Sequence, residues 1–175
     1  MTYEKQKLTG SFYTEGKVAE SVANWAIRNT GDHVLEPSFG DGIFIDKALC
    51  RFREIGNSKP SITAVEIQQE VVDTVRENHY ASMLNIYVED FLSLDFDSQF
   101  DVVVGNPPYV GIKNLPIEQV TTARGAMGRY SVQCPSNGSL WFSFVLHSIS
   151  SLNTNGRLAF VLPFEITYAR YASTL

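Results

Sequence analysis

Two hydrophobic periods alternate along the chain. Glu15–Arg28 has a helical period that sets Val18, Val22 and Trp25/Ala26 on one face. His33–Glu36 is a short strand running into Pro-Ser-Phe-Gly-Asp-Gly, and a helix follows from about Gly42 to Ile55. Ser61–Glu66 reads as the second strand, Gln68–Asn78 as a helix and Asn85–Val88 as the third strand. Phe100–Gly105 is continuously apolar, as a strand buried on both faces should be. An apolar helix over residues 139–152 and a fifth strand over Arg157–Leu162 complete the series. Strands separated by helices imply right-handed crossovers and a parallel sheet covered on both faces, an α/β fold.

Composition narrows the class. With 175 residues, 44% hydrophobic and 19% charged, the chain is a single globular domain rather than a disordered segment. The net charge of −5 argues against a domain that grips a phosphate backbone alone. That charge is uneven: residues 1–100 hold 9 basic and 16 acidic side chains (−7), and residues 101–175 hold 5 and 3 (+2). Cys50 and Cys134 are too few for a disulfide framework or a structural zinc site, so reduced thiols and a cytoplasmic setting are expected. The start of the chain lacks the apolar core of a signal peptide, and no apolar run is long enough to span a membrane.

Ligands of such sheets sit beyond the carboxyl ends of the strands, so the residues following each strand carry the chemistry. After the first strand comes Glu36-Pro-Ser-Phe-Gly40-Asp-Gly42, which suits either a tight turn alone or a loop admitting a ligand to bare backbone. Glu66, 26 residues past Gly40, is placed to accept from a ribose diol or simply to cap the next helix. Glu89-Asp90-Phe91 sets an acceptor beside an aromatic ring, a pairing that suits an adenine amino group and its face. Asn106-Pro-Pro-Tyr109 is the strongest signal. Two prolines end the hydrogen-bond ladder, freeing carbonyls and the Asn side chain to act as acceptors.

With these pieces in order, the sequence resembles the S-adenosylmethionine-dependent amino methyltransferases. It is most similar to the adenine-N6 DNA methyltransferases of restriction–modification systems with gamma-like motif order. The resemblance runs from about Thr9 to Phe164. It takes in Gly10-Ser-Phe-Tyr-Thr14, Glu36–Phe44, Glu66, Asp90-Phe91, Asn106–Tyr109, Leu140–Phe144 and Gly156–Pro163. It implies a Rossmann-like class I methyltransferase fold. Phe12, Tyr13 and Thr14, with Glu36, Pro37, Ser38, Gly40 and Gly42, would then hold the methionine moiety. Glu66 would take the ribose hydroxyls and Ile67 would lie against adenine. Asp90 would accept from the adenine amino group, with Phe91 and Phe144 lining that pocket. Asn106, Pro107, Pro108 and Tyr109 would be catalytic, with Tyr109 stacking on a flipped base. No metal is implied: His33, His79 and His147 are scattered and read as structural or exposed.

By the same resemblance, the chain stops before two further strands and a target-recognition domain. The expectation is thus a single, incomplete cofactor-binding catalytic domain, weak or inactive alone, with an open sheet edge. Its partners would be DNA, reached through the missing domain or a partner chain, and a cognate restriction endonuclease system. Residues 110–138 read as a long loop bearing Lys113, Arg124 and Arg129, either a flap over target base and phosphates or a surface insertion. Alternative readings are a protein-glutamine N5 methyltransferase, an RNA amino methyltransferase, a cytosine-N4 enzyme or a non-catalytic cofactor-binding subunit. Cys134 precedes a proline, so it does not resemble a cytosine-C5 nucleophile.

Overall fold

The computed structural model describes residues 14–78, 80–96, 99–133 and 138–174. Phe12, Tyr13, His79 and Cys134, singled out above, lie outside the described residues. The elements run α1 (Gly16–Ala26), β1 (His33–Glu36), α2 (Ile43–Glu54), β2 (Ser61–Glu66), α3 (Gln69–Arg76) and β3 (Leu84–Val88). They continue with β4 (Phe100–Gly105), α4 (Ile117–Gly128), α5 (Leu140–Ser150) and β5 (Leu152–Phe160).

All strand pairs are parallel, in the order β3-β2-β1-β4-β5. The order reverses between β1 and β4, which opens a crevice at their carboxyl ends. Val34, Leu35, Val102, Val103 and Val104 are almost fully buried, because helices cover both faces of these central strands. One core joins α1 and α2 to the sheet through Ala19, Ala23, Ala26, Phe44, Ile45 and Phe52. A second seats Phe91, Leu92, Val120, Ala123 and Phe144 on the opposite face, and a third gathers Met127, Trp141, Phe142, Val145 and Ala172.

Three local expectations are corrected. The buried stripe of α1 is Ala19, Ala23 and Ala26, while Val18 and Trp25 face solvent. Alanines let the helix backbone approach α2 and the sheet closely, and the Arg28 guanidinium covers the exposed Trp25 ring at 5.1 Å. Residues 110–138 are not one loop. They contain a 3-10 turn, Ile112–Asn114, and the 12-residue helix α4. Helix α4 buries only Val120, Ala123, Ala126 and Met127 and exposes Ile117, so small residues and a misplaced isoleucine blur its period. Packing against α5, rather than intrinsic propensity, holds it. Finally, β5 begins pairing at Leu152, not Arg157. A bulge between the Leu152 and Arg157 pairings, with Asn155 at φ 68°, hides its start from a simple alternation pattern.

Candidate cofactor and catalytic site

Beyond the carboxyl ends of the strands lies a cleft of about 670 Å³. Its lining includes Thr14, Glu36, Pro37, Ser38, Gly40, Glu66, Ile67, Asp90, Phe91, Asn106, Pro108 and Phe144. Residues chosen from six separate stretches of sequence therefore meet in one cavity. Gly42, Pro107 and Tyr109 stand beside it but do not line it.

The turn after β1 is built by short-range bonds. The Gly42 amide donates to the Phe39 carbonyl (2.8 Å) and the Phe39 amide to the Val65 carbonyl at the end of β2 (3.1 Å). Gly42 sits at φ 80°, and a Cβ there would come within 3.3 Å of the Tyr80 hydroxyl. Glycine answers both demands. Glu66 ties the turn to β2: one carboxylate oxygen accepts from the Gly40 amide (3.1 Å) and the other from the Gln68 amide (3.0 Å). Glu66 thus braces the turn that leads into α3 and lines the cleft, while α3 itself has no side-chain cap.

Glu36 differs. It is 1% exposed, and neither carboxylate oxygen has a hydrogen-bond partner. Burial, with the charges of Asp41 and Glu66, pushes its pKa well above the ordinary carboxylate range. The Ile45 amide opposes this weakly, without hydrogen-bond geometry. The Ser38 hydroxyl is also buried without a partner. Two side chains aimed at the same cleft with unmet hydrogen-bonding capacity are what a pocket shaped for a polar ligand leaves behind.

At the far end, Asp90 caps the 3-10 turn Phe91–Ser93, one oxygen accepting from the Leu92 amide at 3.0 Å. Burial raises its pKa. Phe91 packs against Phe144 with ring centroids 5.2 Å apart, forming an aromatic wall. Toward the middle, β4 ends at Gly105 with φ 153°, a conformation that L side chains rarely adopt, and Asn106 follows. The Asn106 amide nitrogen donates to the Thr14 hydroxyl at 3.1 Å, joining two predicted motifs 92 residues apart. This contact turns the carboxamide so that its nitrogen, not its oxygen, faces Thr14. The Tyr109 hydroxyl donates to the Val161 carbonyl at 2.7 Å, and burial pushes its pKa up to about 12.

Sequence reasoning missed part of the roof. Asn114, Leu115, Pro116 and Gln119, from the turn and helix that follow Tyr109, also line the cleft. Only the length of that connection hinted at them. Arg129, on the stretch read as either a flap or a surface insertion, pairs with Asp95 at 2.8 Å. Among the described residues no group of His, Cys, Asp and Glu could hold a metal, and no helix is long and apolar enough to cross a membrane.

Comparison with known proteins decides the family. Residues 42–175 match the family model described as Eco57I restriction-modification methylase. The chain belongs to that family. It is 34% identical to the modification methylase CviBIII of Paramecium bursaria Chlorella virus NC1A, over 95% of this chain and 41% of that protein. It is 28% identical to the type II methyltransferase M.AccI of Acinetobacter calcoaceticus, over 98% of this chain and 31% of that one. The chain thus spans about a third of the length of the curated relatives it matches. Among solved structures, the type I restriction-modification methyltransferase subunit from Streptococcus thermophilus superposes with a TM-score of 0.73 at 22% identity, covering 93% of this chain and 37% of that one. A class I S-adenosylmethionine-dependent methyltransferase from Listeria monocytogenes gives 0.68 at 14% identity, over 91% of this chain and 48% of that one. The fold is the class I, Rossmann-like methyltransferase fold, and the methyl donor that goes with this fold and family is S-adenosylmethionine.

Proposed function

We propose that this chain carries the methyl-transfer site of a restriction–modification DNA methyltransferase acting on the N6 amino group of adenine. The convergence of Asn106 and Pro108, from the Asn-Pro-Pro-Tyr stretch, with Glu66, Asp90 and the orphaned carboxylate of Glu36 at one cleft supports the reading most. The cleft fits the donor chemically. Glu36 and Ser38, left without partners, suit the charged methionine end, with Thr14 beside them. Glu66 would take the ribose hydroxyls, and Ile67, Asp90, Phe91 and Phe144 the adenine. Bound there, S-adenosylmethionine supplies an electrophilic methyl group on a sulfonium centre.

The remaining chemistry belongs to the chain. An adenine amino nitrogen is a poor nucleophile because its lone pair is delocalised into the ring. The Asn106 side-chain oxygen and the Pro107 carbonyl would accept hydrogen bonds from that NH₂, favouring a pyramidal nitrogen and offsetting the positive charge that develops on it. Asn106 is held by Thr14 and by the end of β4 at Gly105, paired with Phe160, so the acceptors are oriented before a base arrives. A duplex conceals this nitrogen, so the base must be turned out of the stack. Tyr109, its hydroxyl fixed on Val161, is our assignment for the ring that receives it, a contact worth about 1–3 kcal/mol. No covalent enzyme intermediate is required.

Because the relatives are longer and residues 1–100 carry a net −7, the contacts that hold the DNA backbone are expected largely from other protein surface. Label transfer from methyl-labelled S-adenosylmethionine to duplex DNA, followed by digestion to nucleosides, tests the proposal. N6-methyladenine should form, slowly, and should disappear in Asn106→Ala. Label in N4-methylcytosine, RNA or protein glutamine would overturn the substrate assignment.

A further inference from the structure

Behind the aromatic wall of the cleft sits His147, 3% exposed on α5. Its Nε2 lies 2.8 Å from the Leu94 carbonyl, and its Nδ1 lies 3.1 Å from the Tyr130 hydroxyl. A carbonyl can only accept, so Nε2 carries the proton and Nδ1 is an acceptor facing the Tyr130 hydroxyl, which also meets the Ser150 hydroxyl. Burial lowers the pKa of the ring, in keeping with this neutral tautomer. The imidazole also meets Phe91 edge-on, with centroids 4.7 Å apart. Leu94 closes the turn begun by Asp90, its own amide donating to the Phe91 carbonyl at 3.1 Å. Helix α5 therefore touches this turn twice: Phe144 packs on Phe91 from within the cleft, and one helical turn later His147 bonds its far end.

We propose that His147 is a positioning residue that keeps the Asp90–Leu94 turn in register with the adenine of the methyl donor. The inference rests on the reading that Asp90 accepts from the adenine amino group. One Asp90 oxygen is engaged by the Leu92 amide, so recognition falls to the other, and its direction depends on where the turn is held. A turn free to shift would keep the apolar wall but lose the aim of that oxygen.

Calorimetric titration with S-adenosylhomocysteine and with its deaminated inosine counterpart separates aim from general integrity. The counterpart presents a carbonyl where adenine has its amino group. The parent should prefer the adenine ligand by about tenfold or more, the weight of one hydrogen bond to a charged acceptor. His147→Leu, which fills space but leaves the Leu94 carbonyl unmet, should cut that preference to about twofold while affinity for the inosine ligand stays nearly unchanged. His147→Gln, whose amide nitrogen can still donate to Leu94, should restore most of it. If a folded His147→Leu keeps the full preference, or loses both ligands equally, the proposal fails. Should that variant not fold, His147→Phe, which keeps a ring beside Phe91 but cannot donate to the Leu94 carbonyl, is read by the same criterion. Asp90→Ala distinguishes the two layers. Preference lost there but kept in His147→Leu refutes only the positioning role, whereas preference kept in Asp90→Ala refutes the adenine reading and this proposal together.

Discussion

The two ends of the sheet treat buried polar groups in opposite ways. At the amino ends of the strands, Asp32 accepts from the Arg28 and Asn29 amides and pairs with Arg157 at 2.8 Å. Asp101 accepts from the His33 amide and the Asn153 side chain, each at 2.9 Å. The His33 ring lies 3.2 Å from the Thr63 hydroxyl. These groups complete one another across four strands. At the carboxyl ends, both Glu36 oxygens and the Ser38 hydroxyl are buried with nothing to bond, while negative charges at Asp41 and Glu66 face Glu36. One end uses its polar side chains to hold the strands in register; the other leaves Glu36 and Ser38 for a ligand while Glu66, Asp90 and Asn106 brace the loops around them. Stability and function are thus separable along the strand axis, a few residues apart on the same strands.

The largest effect is expected at the amino end. Asp32→Ala strips a buried ion pair of one member and leaves the Arg157 guanidinium stranded, a loss of about 3–5 kcal/mol in urea unfolding. Cofactor affinity of the protein that remains folded should not change. A large loss of affinity in the folded fraction would break the separation. The pH dependence sharpens it. Burial acts to raise the Asp32 pKa, but the bonds from Arg157, Arg28 and Asn29 outweigh it and hold the carboxyl below its ordinary value. The folded state therefore binds this proton less readily than the unfolded chain does. Its stabilisation is complete above about pH 4 and is lost as pH falls through the folded value. Asp32→Asn should flatten that acid limb.

Glu36 should show the opposite sign and a smaller size. Its raised pKa means the folded state holds the proton more tightly than the unfolded chain, so it costs stability as pH rises from about 4 through the folded value. Glu36→Gln should raise the stability of the ligand-free protein by about 1 kcal/mol at neutral pH, with the gain vanishing below about pH 4. The same variant should bind S-adenosylmethionine more weakly. Thermal unfolding with and without ligand across that pH range measures both, and a loss of ligand-free stability in Glu36→Gln would contradict the idea of a strained, ligand-ready end.

The same division explains what the sequence made legible. β1, β2 and β4 were read with their observed bounds, because strands buried on both faces leave runs of Val, Leu and Ile that little else produces. Glu36, Glu66, Asp90 and Asn106, which line the cleft, were singled out because each ends or follows a strand, where a parallel sheet places its ligands. Features defined by partners rather than by pattern stayed hidden. Helix α4 buries two alanines among its four buried residues and carries an exposed Ile117, so its roof residue Gln119, like Asn114 in the 3-10 turn before it, passed for loop. The alanine stripe of α1 was overlooked in favour of larger Val18 and Trp25, which prove exposed. His147 looked like an isolated histidine because its partners, Leu94 and Tyr130, are 53 and 17 residues away.

The central claim is that the carboxyl ends of β1 and β2 form a competent cofactor pocket. It is tested most directly by calorimetric titration of S-adenosylmethionine into the 175-residue chain beside Glu66→Ala. The account predicts saturable binding of one equivalent to the parent and a loss of about a hundredfold in the variant, two charge-assisted hydrogen bonds having gone. A folded parent that binds nothing, or a Glu66→Ala variant that binds as tightly as the parent, would contradict it.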